Sequence, residues 1–316
     1  VQSALNFVKG AVAKKDFLPA LTHFHIGHGR ILGFNGVIAI SSPIPLELEV
    51  CPKAIPLIKA INQCGETTKL NLTPTGKLSV TSGKFRSYIE CLPAETFPEV
   101  FPEGESIEIP DGFLAILGAL RPIIAEDASR PWARGILFDG GVARVTNNII
   151  LIEKWTGMSF PFPINLPKEA IDEILRIGEE PQTAQVSDRS ITFRYPEDRW
   201  LRTQLYPADW PNVEQLWGGE HTLSELPEGL WAGIESIMPF LESEGRVYFL
   251  EDGIGSSLAP DSGASYAVDV PAGGCFSAAH LALLKPLANK IDFSSYPKPC
   301  YFTGDKLRGV ISGMRQ

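Results

Sequence analysis

One unreactive phrase is written twice in this sequence, as LPAETFPEV (92–100) and again as YPADWPNV (206–213). Both read Pro-Ala-acid, then an aromatic-Pro step, then a polar residue and Val. Self-similarity at this range points to tandem copies of one unit, because a period of about 105 residues is far too long for a solenoid turn. Other stretches repeat in the same order. VCPKAIPLIKAI (50–61) matches NLPKEAIDEILRI (165–177), each setting Pro-Lys at a helix start, where a missing N–H costs nothing. CFSAAHLALLKPL (275–287) is a weaker third copy. The openings correspond too, as SALNFVKGAVAKKDFLPAL (3–21), FLAILGALRPIIAEDASRPWARG (113–135) and LWAGIESIMPFLESEGR (230–246).

A helical period places Ile55, Ile58 and Ile61 on one face, and Ile171, Ile174 and Leu175 on another. Between and after the two helices of each unit lie β-branched, alternating runs broken by Gly, Asp and Pro, such as RILGFNGVIAIS and AQVSDRSITFRY. These read as antiparallel strands. The expectation is an α+β protein of three tandem domains, 1–103, 104–217 and 218–316, each made of two helices packed on antiparallel sheets. FPEG and LWGGE are the linkers at the two boundaries.

The 316 residues carry a net charge of −9. Alone, that argues against a protein coated in nucleic acid, since phosphate contacts need Lys and Arg. The distribution is more telling. Residues 1–103 hold 10 Lys/Arg against 8 acids, 104–217 hold 11 against 17, and 218–316 hold 7 against 12. The first unit is basic and the third acidic, which suits a head-to-tail contact between chains. Five cysteines without C-x-x-C spacing read as reduced thiols of a cytosolic protein. No run approaches the length of a membrane span, and the opening residues do not read as a secretory signal.

No reactive constellation emerges. HFHIGH (23–28) puts His23 and His25 on one strand face with His28 just beyond, but no carboxylate or thiol lies nearby in sequence to complete a zinc site. GHGRILG (27–33) sits in a strand–turn region instead of opening a helix, so it is not a phosphate loop. The acidic groups of ESE (242–244) and AEDAS (125–129) fall at helix ends or turns, where solvated charge explains them. The chain reads as a binding or scaffolding protein, not an enzyme.

The collinear order of these pieces is similar to one family. The chain resembles the bacterial DNA polymerase III beta subunit, the sliding clamp. LNFVKGAVAKKDFLPAL, CPKAIPLIKAI and TSGKFRSYIECLPAETFPEV carry the resemblance in the first unit. RPWARGILFDGGVARVTNN, LPKEAIDEIL and QLYPADWPNVEQL carry it in the second, and RGVISGMRQ at the end. It implies three clamp domains per chain and a ring formed by a head-to-tail homodimer. The ring encircles double-stranded DNA without sequence preference and tethers a polymerase and a clamp loader through short peptide motifs. It implies no cofactor, no metal and no membrane, and a place in the bacterial cytoplasm at the nucleoid. The alternative is a clamp-fold scaffold that does not encircle DNA.

By position, the resemblance implies DNA contacts at Lys14, Lys15, Lys84, Arg86 and Trp132. It implies a partner-peptide pocket of Ala133, Thr146, Leu151, Pro211, Val213, Leu216, Val310, Ile311 and Met314. The sequence departs from the family at Asn147-Asn148-Ile149-Ile150-Leu151, where Asp-Gly-His-Arg-Leu is usual, and at Ser312-Gly313-Met314, where Met-Pro-Met is usual. Those departures mark a divergent member, of the kind a phage or mobile element would encode.

Overall fold

The computed structural model describes residues 1–15, 18–126, 129–259 and 261–315. In chain order, the first stretch holds α1 (Gln2–Val8), β1 (Phe24–Gly27), β2 (Arg30–Phe34), β3 (Ile38–Pro43), β4 (Cys51–Pro52) and α2 (Ala54–Asn62), followed by β5 (Lys69–Leu72), β6 (Leu78–Ser82), β7 (Phe85–Ile89) and β8 (Cys91–Leu92). The middle stretch holds β9 (Glu105–Glu108), α3 (Phe113–Leu120), β10 (Gly135–Asp139), β11 (Val142–Thr146), β12 (Ile150–Trp155) and β13 (Ile164–Pro167). It continues through α4 (Lys168–Ile177), β14 (Thr183–Val186), β15 (Ser190–Tyr195) and β16 (Arg199–Gln204). The last holds β17 (Ser224–Glu225), α5 (Leu230–Ile237), β18 (Arg246–Leu250), β19 (Gly253–Gly255), β20 (Ser265–Tyr266) and β21 (Cys275–Ser277). It ends with α6 (Ala278–Leu284), β22 (Lys290–Ile291), β23 (Cys300–Gly304) and β24 (Leu307–Ile311).

Contacts divide the chain into two compact units, 1–114 with 169–205, and 115–168 with 206–316. In the first, the described residues form a seven-stranded sheet ordered β1-β2-β3-β16-β15-β14-β9, a three-stranded sheet β5-β6-β7 and the pair β4-β8. In the second they form an eight-stranded sheet, β13-β10-β11-β12-β24-β23-β22-β17, and a four-stranded sheet, β20-β19-β18-β21. Neighbouring strands are antiparallel throughout. The units cut across the sequence repeats because strands of successive repeats join in one sheet. β3 pairs with β16, placing Ser41 opposite Trp200, and β12 pairs with β24, placing Glu153 opposite Arg308.

Local chemistry recurs as well. The β1–β2 and β10–β11 hairpins turn on His28-Gly29 and Gly140-Gly141, all four with positive φ, as a two-residue turn matching strand twist requires. The next turns are built on Asn35 and Asn147. Each Oδ1 accepts from two backbone amides, Val37 and Ile38 in one case, Ile149 and Ile150 in the other. This asparagine device pins the hairpin end without help from the core.

Burial corrects two details of the sequence reading. In α2 the buried residues are Ala54, Leu57, Ala60 and Ile61, while Ile55 is 54% exposed. At about 100° per residue, positions 55 and 61 lie about 120° apart and cannot share a face. The Pro of each Pro-Lys pair ends a strand, Pro52 in β4 and Pro167 in β13, with the helix beginning one or two residues later. In the first unit the core gathers Phe24, Ile26, Ile31, Ile40 and Phe193; in the second, Phe138, Ile152, Phe302 and the Phe249–Phe276–Phe293 cluster with ring centroids 4.9 to 5.4 Å apart. Among the described residues no helix is long and apolar enough to cross a membrane.

Candidate functional site

A cavity of about 200 Å³ opens in the second unit, where the β11–β12 hairpin, the end of β24 and the second copy of the repeated phrase converge. Thr146, Leu151 and Val310 form its floor, and Trp210, Pro211, Val213 and Leu216 its wall. The floor is rigid for a local reason. Thr146 Oγ1 donates to the Ile150 carbonyl at 2.7 Å and accepts from the Asn148 amide at 3.0 Å. Asn148 takes the left-handed conformation, φ 74°, that asparagine tolerates better than most residues. Its side-chain oxygen accepts from Arg130 at 2.6 Å, which brings the cavity's one lining charge to the rim.

The wall is fixed from behind. Trp132 and Trp210 meet edge to face, centroids 5.0 Å apart. The fully buried Asn165 donates through Nδ2 to the carbonyls of Trp132 (2.9 Å) and Pro207 (2.8 Å), tying the two tryptophan-bearing segments together. Gly135 makes room for that amide, since a Cβ there would lie 2.5 Å from Asn165 Oδ1 and 2.4 Å from the Leu166 carbonyl. A cross-strand row then braces the end of the wall. Glu153, 5% exposed, accepts from Arg144 Nε at 2.7 Å and Arg308 Nε at 2.6 Å on the flanking strands. The Arg308 guanidinium lies 4.7 Å from the Trp217 ring, and Arg144 reaches Glu214 at 3.8 Å. An apolar cleft with braced walls and a single cationic rim suits a short peptide with aliphatic or aromatic anchors.

Six of the nine residues expected in a peptide pocket line this cavity: Thr146, Leu151, Pro211, Val213, Leu216 and Val310. Ala133 and Ile311 are fully buried and contribute packing instead of surface. Met314 does not line the cavity; its amide donates to the Cys275 carbonyl and its carbonyl accepts from Tyr296 Oη. The sequence reading missed Arg130, Asn148, Ile149, Ile150, Trp210, Pro299 and Ser312. Trp210 had a usable signal, because it is the aromatic of the repeated phrase. Of the residues assigned to DNA, Trp132 lies in this wall. Lys14 and Lys15 are exposed just beyond the turn that follows α1, whereas Lys84 and Arg86 are exposed on the β6–β7 turn and on β7.

The groups weighed for chemistry are occupied otherwise. His25 Nε2 meets Glu49 at 3.0 Å, and His23 Nδ1 meets the Pro19 carbonyl at 2.7 Å. The described residues contain no cluster of three metal-ligating side chains. Glu126 pairs with Lys168 at 3.2 Å and Glu244 with Arg246, while Asp127 lies outside the described residues. Burial pushes the Cys51 and Cys300 thiols up to about 12, so both stay protonated and are poor nucleophiles near neutral pH.

Helices packed on antiparallel sheets, repeated along the chain with strands shared between successive repeats, define the DNA-clamp fold. Solved structures narrow this to its bacterial form. The chain superposes on the DNA polymerase sliding clamp from Bacillus subtilis with TM-score 0.83 and 15% identity, covering 100% of this chain and 97% of that one. The same coverage holds for the polymerase beta subunit of Streptococcus pyogenes (TM-score 0.79, 18% identity) and for a Pseudomonas aeruginosa sliding clamp bound to griselimycin (0.81, 17%). No family model and no curated protein matches the sequence. The fold is that of the DNA polymerase III beta subunit.

Proposed function

We propose that this chain is a DNA sliding clamp, a non-catalytic processivity factor. Two copies close head to tail around duplex DNA and tether a polymerase through the cavity at Trp210. The observation that carries this reading is a pair of open sheet edges. The first two repeats each use the strand after the asparagine turn to pair with the last long strand of the next repeat, β3 with β16 and β12 with β24. The corresponding strands at the two ends, β7 in the first unit and β20 in the second, have no such neighbour among the described residues. Free edges invite pairing, and a second copy laid head to tail would satisfy both. Their surroundings have opposite charge, Lys84 and Arg86 at β7 against Asp261 and Asp269 beside β20.

In this reading the three repeats are domains 1–103, 104–217 and 218–316, and the ring has six. Topology holds the duplex, so a few exposed cations such as Lys14 and Lys15 suffice, and phosphate contacts without base readout permit sliding. The clamp works in the bacterial cytoplasm, needs no cofactor and is opened onto DNA by a loader. Two measurements test it. Light scattering should give about twice the 34.5 kDa chain mass. Protein loaded on nicked circular DNA should fall off when the circle is cut, and retention after cutting would overturn encirclement.

A further inference from the structure

The first copy of the repeated phrase also roofs a cavity, larger than the one at Trp210 and of opposite electrical character. It occupies about 600 Å³ in the first unit, between the β1-β2-β3-β16 face and residues 94–102. Its roof is a strap held at both ends. Phe97 is buried, with its ring 5.6 Å from that of His25. Glu103 accepts from Ser190 Oγ at 2.9 Å and pairs with Arg202, contacts that hold its carboxyl below the ordinary range. Residues 98–102 between them read Pro-Glu-Val-Phe-Pro, two of which have no N–H to donate. Proline at both ends limits the conformations the strap must lose when something binds beneath it.

The floor explains why the space is open. Register makes Leu32–Ser41–Trp200 the counterpart of Arg144–Glu153–Arg308, the row whose charges brace Glu214 and Trp217 in the second unit. Here that row is apolar at both ends, so nothing draws the strap down onto it. Phe101 stands 62% exposed at the lining. The lining charges are Arg30 and three carboxylates, Glu49, Glu95 and Glu99. Arg30 is already taken by Asp198 and by Ser41 Oγ, and Glu49 is shared with His25. Glu95 and Glu99 carry no ion pair among the described residues. The Trp210 cavity has Arg130 and no carboxylate.

We infer that this strap cavity is a second docking site, for a partner peptide that carries a large apolar anchor flanked by Lys or Arg. The two cavities thereby sort partner segments by the charge beside a similar anchor. The inference needs neither the ring nor occupancy of the Trp210 cavity. Two fluorescein-labelled peptides with one Leu-Phe core, flanked by Lys in one and Glu in the other, test it by anisotropy on the full chain. The Lys-flanked probe should bind, should weaken at least tenfold in Glu95→Lys/Glu99→Lys, and should be unaffected by Trp210→Ala. Phe101→Ser should weaken it with no change in surface charge. Absence of binding, equal binding to the charge-reversed chain, or displacement by the Glu-flanked probe would each overturn the site. A change of oligomeric mass in Glu95→Lys/Glu99→Lys would assign the cavity to a second copy of the chain and overturn it too.

Discussion

Removing the Glu153 carboxylate tests whether the Arg144–Glu153–Arg308 row braces the second unit. Glu153 is 5% exposed and accepts one charge-assisted hydrogen bond on each oxygen. Breaking a buried ion pair from one side costs about 3–5 kcal/mol where the stranded partner stays dry. Two features reduce that here. Arg144 keeps Asp139 at 3.3 Å, and the Arg308 side chain, 40% exposed, can return to water. Glu153→Ala should therefore cost about 2–3 kcal/mol, below the 3–5 kcal/mol of a fully stranded pair. Arg308→Ala leaves Glu153 paired with Arg144 and forfeits its hydrogen bonding to Glu153 and the stacking on Trp217, which the 40% exposure of Arg308 reduces to about 1–2 kcal/mol. Lys290→Ala, which breaks an exposed pair with Glu225, is the control and should cost under about 0.5 kcal/mol. Urea unfolding followed by tryptophan fluorescence and by far-ultraviolet circular dichroism gives all three values. A Glu153→Ala chain within about 0.5 kcal/mol of the control would refute the bracing argument.

Gly135→Ala should lower the melting temperature and weaken the Glu-flanked peptide together, because the new methyl strikes the Asn165 amide that ties the pocket wall; scanning calorimetry and anisotropy check both. Burial alone would raise the Asp292 carboxyl, but donation from Ser294, Ser295 and the Thr222 amide outweighs it and holds it below its ordinary 3.8. A depressed folded value means stability present above pH 3.8 and lost as pH falls through the folded value. Asp292→Asn should thus flatten the acid limb of stability below that pH, and an unchanged limb in acid titration would reject the assignment. Lys14→Ala with Lys15→Ala should reduce loading on circular DNA while leaving the chain mass in solution unchanged, and full loading would remove both lysines from the DNA path.

The repeat was legible because it lies in residue order: the doubled phrase, the Pro-Lys pairs and the helical openings recur at matching places. Strand content followed from β-branched alternation, and the fold class followed from both. Pocket residues on strands, Thr146, Leu151 and Val310, were reachable by position along a resemblance. Burial depth was not. Ala133 and Ile311 look as suitable as Val310 in the sequence, yet the facing of Val310 and Ile311 is set by the pairing of β24 with β12, and Ala133 is buried in a helical turn before β10. The acidic partner of His25 was invisible for the same reason, since Glu49 is 24 positions away along the chain and adjacent only across the fold.

The sequence by itself determined that one unit is repeated, that it mixes helices with antiparallel strands, and which end of the chain is basic. Tertiary structure alone decided what the two copies of the phrase do. Trp210 closes against Trp132 beside a braced wall, while Phe97 anchors a strap over an open floor. The difference lies in three cross-strand neighbours, charged in one unit and largely apolar in the other. In each row the third neighbour comes from a strand more than a hundred residues beyond the other two, so only pairing the strands in register brings the contrast into being.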